Sequence, residues 1–137
     1  MAIAKWATPS TRSSNFASTT LNSLANGGES NVVTYDNSTN RDLYGIITVK
    51  LGSITPSTGG SITVRVTIND GTDTADRIGG DIYVIPLTSG TSAKVAVLNM
   101  IRLYPVSMRI SIINNSGVTL NASGNEIYIR PWNEDVT

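Results

Sequence analysis

The chain contains no cysteine and no histidine. Without cysteine there is no disulfide, no thiolate nucleophile and no sulfur-ligated metal. Without histidine the usual general base near neutral pH and the commonest transition-metal ligand are both missing. Charge is sparse as well, 15% of residues, and the 10 basic and 10 acidic side chains cancel. The cations Lys5, Arg12, Arg41, Lys50, Arg65, Arg77, Lys94, Arg102, Arg109 and Arg130 stand singly. No field therefore steers the protein to nucleic acid or to an anionic membrane, and neither is expected as a partner. No apolar run approaches the length of a membrane span, and "MAIAKWATPSTRSSNF" lacks the apolar centre of a signal peptide, so synthesis in the cytosol is expected.

What fills the 137 residues instead is Ser, Thr and Asn, roughly a third of the chain, around short runs of period two. In Ile62–Ile68 the residues Ile62, Val64, Val66 and Ile68 share one face, and Thr63, Arg65 and Thr67 the other. The stretch from Val106 repeats this with Val106, Met108, Ile110 and Ile112, and the stretch ending at Pro131 with Ile127 and Ile129. Less regular strands are expected at 31–35, 43–51, 81–87 and 93–101. Gly- and Asn-bearing punctuation such as Asp70-Gly71, Gly79-Gly80 and Asn115-Ser116-Gly117 marks the turns between them. One-faced alternation requires a second sheet to cover it and points to antiparallel pairing. The expectation is an all-β fold, an antiparallel β-sandwich of about 7–8 strands with jelly-roll or Greek-key connections. Residues 30–137 form that single domain, and residues 1–29 an N-terminal arm, extended and mostly irregular. Within the arm Ser14–Ala25 carries too much Ser, Thr and Asn for more than one short helix, ending at Gly27-Gly28.

Candidate sites are few. The polar knot Asp36-Asn37-Ser38-Thr39-Asn40-Arg41-Asp42 reads as a turn, because Asn and Asp side chains bond nearby main chain; ligand contact is the other reading. Asp70, Asp73 and Asp76 could offer oxygens to a hard cation, but their spacing is not that of an EF-hand and no bidentate Glu follows, so no metal is assigned. Serine has no histidine to form a triad, a Ser–Lys pair would need a buried Lys5, Lys50 or Lys94, and the acids fall at turns or strand ends. With no phosphate or dinucleotide loop either, no enzyme and no cofactor are expected. Trp6 and Trp132 lie near the two ends; with Phe16, Leu21 and Leu24 of the arm they are the interface candidates, or simply cover the ends of the sandwich. Tyr35, Tyr44, Tyr83, Tyr104 and Tyr128 are spread over different strands and mark no stacking platform.

Two blocks, "DNSTNRDLY" (36–44) and "ISIINNSGVTLNASGNEIYIRPWNE" (110–134), with a Trp near the start and Ala25–Gly28 at the end of the arm, resemble a family of small virion proteins of tailed bacteriophages. The chain departs from that pattern in its compact 69–87 stretch, where a longer Pro-rich segment is usual, and in Pro131. The resemblance implies a structural virion protein. The role expected from it is capsid decoration or cement: a homotrimer on the capsid surface, holding the major capsid protein through the arm and one end of the sandwich. The alternatives are a tail or baseplate component and, from another class, a glycan-binding module. A decoration protein should survive deletion of residues 1–26 and lose capsid binding; a glycan binder should keep binding.

Overall fold

The computed structural model of the chain describes residues 3–13, 20–69, 72–73 and 79–136. Among them the chain forms nine strands: β1 (Ala4–Trp6), β2 (Val33–Asp36), β3 (Tyr44–Leu51), β4 (Ser61–Ile68), β5 (Asp81–Pro86), β6 (Lys94–Arg102), β7 (Ser107–Asn115), β8 (Glu126–Trp132) and β9 (Glu134–Val136). The alternating runs take the places their pattern requires. Ile62, Val64 and Val66 of β4 and Met108, Ile110 and Ile112 of β7 bury one face, while β3 contributes Ile47, Val49 and Leu51 and β8 Ile127 and Ile129 from the opposite side. β-Branched residues dominate because they suit a pleated surface covered on one face. Thr63 and Thr67, on the outward side of β4, are buried as well, flanked in register by Val84 and Ile113, and by Arg109.

All pairings are antiparallel. One sheet has the order β2-β7-β4-β5, the facing sheet the order β6-β3-β8, and β1 and β9 make a separate ribbon. From β2 to β8 only β4 and β5 are consecutive in both sequence and sheet; every other step crosses between the layers. The outer edge of β8 is not free. The arm runs antiparallel along it, with Ser10 N–H donating to the Pro131 carbonyl and Ser13 N–H to that of Ile129, each 2.8 Å. Counting the arm as a fourth member, the two sheets read arm-8-3-6 and 2-7-4-5, the interlocked Greek keys of a jelly roll.

The arm is therefore an integral element. Leu21 has no exposure and joins the core, Gly27 N–H donates to the Asn114 carbonyl, and Ser30 N–H to that of Ile112. Of the short helix weighed for 14–25, residues 14–19 lie outside the described part. Residues 20–23 form a turn in which Ser23 takes a positive φ of 57°. No helix among the described residues is long and apolar enough to cross a membrane.

Candidate binding face

The polar knot is a turn built around one side chain. Asn37 is fully buried; its Nδ2 donates to the carbonyls of Asp42 and Tyr104, each at 2.9 Å, and its Oδ1 accepts from Asp42 N–H at 3.0 Å. Arg41 adopts a φ of 53° at the tight reversal, and its Nε donates to the Ser38 carbonyl, so it turns back into the loop and forms no ion pair with Asp42 among the described residues. Asp36 Oδ1 accepts from Ser38 N–H at 2.9 Å, and bonds from the Ser38 side chain and main chain hold its carboxyl below the ordinary range. Asn133 ties the knot to the terminal ribbon, donating from Nδ2 to Asp42 Oδ1 at 2.8 Å and accepting Leu43 N–H on Oδ1 at 2.8 Å. These bonds make the knot a turn that closes one end of the sandwich.

The chemistry that does face solvent lies on the outer side of the three-stranded sheet. Period two turns Tyr44, Ile46, Thr48 and Lys50 of β3 and Glu126, Tyr128, Arg130 and Trp132 of β8 away from the core, and the register sets Tyr44 beside Trp132 and Thr48 beside Tyr128. The β1–β9 ribbon then carries Trp6 over the same surface. The Trp132 ring lies 5.7 Å from that of Trp6 and 6.0 Å from that of Tyr44, tilted by 31° and 33°. Such offset ring pairs are favoured by the aromatic quadrupole. The two indoles end up in opposite states: Trp132 is 4% exposed, Trp6 67%. Further along the sheet the Arg12 guanidinium sits 3.7 Å above the Tyr128 ring.

Between the arm and the sheet is a cleft of about 260 Å³, lined by Trp6, Ala7, Pro9, Ile46, Asn99 and Trp132. Its lining is almost wholly apolar, yet the Trp132 indole N–H is buried with no hydrogen-bond partner among the described residues. A β-bulge between Gly45 and Ile47 lets the chain of β6 bring Asn99 to this place.

Of the interface candidates read from sequence, Trp6 is presented to solvent and Leu24 is half-buried. Leu21 and Trp132 are not: the first is a core residue and the second lies beneath Trp6, because the arm folds onto the body and covers both. Phe16 lies outside the described residues. So do Asp70 and Asp76 of the acidic loop; Asp73 is exposed, and among the described residues no three potential ligands gather for a metal. Lys94 is buried, and its ammonium donates to the Ser89 carbonyl at 3.0 Å, a main-chain oxygen and not a hydroxyl to be activated. Sequence reasoning missed Tyr44, Tyr128, Ile46 and Asn99. The outward places of the two tyrosines could be read from period two; that β3 and β8 are neighbours could not.

No protein-family model and no curated protein sequence matches the chain. Among solved structures it is similar to the CBM35 from Cellvibrio japonicus Abf62, with a TM-score of 0.51 and 13% identity over 94% of this chain and 92% of that one. It is also similar to part of a Bacillus thuringiensis Cry1Da tryptic core variant, with a TM-score of 0.50 and 15% identity over 80% of this chain. The chain spans only 18% of that core's length. At these identities the likeness is one of fold, and it makes this chain a β-sandwich of the same architecture.

Proposed function

We propose that the protein is a non-enzymatic structural component of a tailed-bacteriophage virion, decorating the outside of the capsid as a homotrimer bound to the major capsid protein. The observation that carries this reading is a pair of edge strands that no described strand covers, each bearing exposed apolar side chains. β5 and β6 are the outer strands of the two sheets on the same side of the sandwich, and among the described residues no further strand pairs with either there. On them Ile82, Val84, Val95, Val97 and Met100 are between 44% and 63% exposed. Lone soluble proteins blunt free strand edges with charge or proline; proteins that live in assemblies cover them with a neighbour. The resemblance of residues 36–44 and 110–134 to small phage virion proteins supports the same reading. Those blocks supply Asn37, Asn114 and Asn125, the buried asparagines of the fold.

Copy number in purified virions, measured by quantitative mass spectrometry against the major capsid protein, tests the proposal. A simple ratio such as one to one or one to two is expected for a shell-covering protein. A ratio below a few per cent would move it to the tail or baseplate, and absence from virions would sink the structural reading.

A further inference from the structure

We propose that the cleft beneath Trp6 is a carbohydrate site that takes one neutral pyranose ring. The reasoning starts from the buried indole of Trp132. An N–H removed from water without an acceptor costs stability, and native proteins leave few such groups unexplained. Trp132 itself lines a cleft whose other walls are Trp6, Pro9, Ala7 and Ile46, with the exposed Asn99 completing the lining. An apolar occupant such as a leucine side chain would fill the space and leave the N–H orphaned. An extended peptide would need free main-chain groups to pair with. Here the floor strand β3 is bonded to a neighbour on each side, and β8 is bonded to β3 and to the arm.

A sugar ring meets both demands. Its C–H face packs on an indole, and its ring and hydroxyl oxygens accept from a donor at the edge while its hydroxyls donate to a carboxamide oxygen. Trp6 is suited to the stacking role because one of its faces is backed by Trp132 while most of its surface is open. The lining contains no charged side chain, which selects a neutral ring over an acidic one. At about 260 Å³ the space falls below the roughly 300–1,000 Å³ of ordinary small-molecule sites, so it holds a single ring and not a long chain. Affinity for the isolated ring is correspondingly weak, with Kd on the order of 1 mM, and many copies on one surface would multiply it.

The test is a fluorescence and NMR titration of the whole protein with D-glucose, D-galactose, D-mannose and N-acetyl-D-glucosamine, each to about 100 mM, with D-glucuronate as the charged comparator. At least one neutral sugar is expected to shift tryptophan emission saturably and to move one of the two indole N–H resonances, that of Trp132. Trp6→Ala should weaken binding by about tenfold or more and Trp6→Phe by less, since a smaller ring still stacks. Trp132→Phe, which keeps an aromatic ring but removes the donor N–H together with part of the buried indole, should weaken it several-fold and lower the thermal midpoint modestly. The proposal is overturned if no neutral sugar saturates, or if binding survives Trp6→Ala. It is overturned equally if Trp6→Ala abolishes capsid binding while no sugar responds, an outcome that would make the cleft a protein contact.

Discussion

Asn37 carries no charge and touches no solvent, yet three main-chain groups depend on its carboxamide. Asn114 and Asn125 repeat the device at the opposite turns. Asn114 Nδ2 donates to the carbonyls of Leu24 and Val118, and Asn125 Nδ2 to that of Asn121 while its Oδ1 accepts Gly52 N–H. Each amide stands in for main-chain partners that an irregular segment cannot supply itself. Asn37→Ala would strand two carbonyls and one N–H, so a loss of about 2–4 kcal/mol is expected, read as a lower denaturant midpoint at constant slope. Asp36 supplies a prediction of opposite accessibility. Its folded pKa lies below the ordinary 3.8, so the stability it contributes is present above 3.8 and is lost as pH falls through the folded value. Asp36→Asn should flatten that part of the acid limb, and a side-chain carboxyl titration at or above 3.8 in the native protein would refute the assignment.

At the scale of elements the arm and β6 are the two edges of one sheet, treated in opposite ways. The arm caps β8 through main-chain bonds from Ser10 and Ser13, and Arg12 and Trp6 lie on the outer face beyond it. Deleting residues 1–26 would also take Leu21 out of the core and Leu24 and Asn26 from their bonds to Asn114 and Gly117, so that truncation destabilises the body whatever the protein binds. A cut after Ser13 keeps these contacts; it should lower the thermal midpoint only moderately and remove the Trp6 ring from Trp132, seen as a red-shifted Trp132 emission. Among the described residues β6 has no such cover. On the proposed homotrimer, the double change Val95→Lys and Val97→Lys is expected to give a monomer in light scattering while moving unfolding free energy by less than about 1 kcal/mol, because both side chains already face solvent.

For the molecule as a whole the missing histidine and cysteine reappear as a pH profile. No side chain with an ordinary pKa between those of the carboxyls and of tyrosine is present, so stability should be nearly flat across the neutral range. At high pH the five tyrosines act together, all with pKa values raised above 10.0. Hydrogen bonds to Asp81, Glu134 and Glu126 raise Tyr104, Tyr44 and Tyr128, and burial raises Tyr35 and Tyr83. A raised folded value means the contribution is whole below 10.0 and disappears as pH climbs through the folded pKa, so the thermal midpoint should fall above pH 10, in step with tyrosinate absorbance. A midpoint that held through complete tyrosine ionisation would contradict these pairings.

Much of this is legible in the sequence itself. Period two placed Ile62, Val64, Val66, Met108, Ile110, Ile112, Ile127 and Ile129 in the core because a pleated strand leaves no other choice of face, and the seven internal strands fall where their alternation put them, within two residues at each end. The polar knot read as a turn because Asn and Asp bond locally, and local bonding is what sequence reports best. The short strands β1 and β9 were not legible: Ala4-Lys5-Trp6 and Glu134-Asp135-Val136 have no pattern of their own and are ordered by one another. Nor was the cleft, which needs Trp6, Ile46, Asn99 and Trp132 from four separate strands at one place. Alternation along a strand decides which side a residue faces, so the sequence by itself determined the core and the sandwich. Which strands lie side by side depends on crossings between the layers, so only the tertiary structure decided that the two ends of the chain would meet over one sheet.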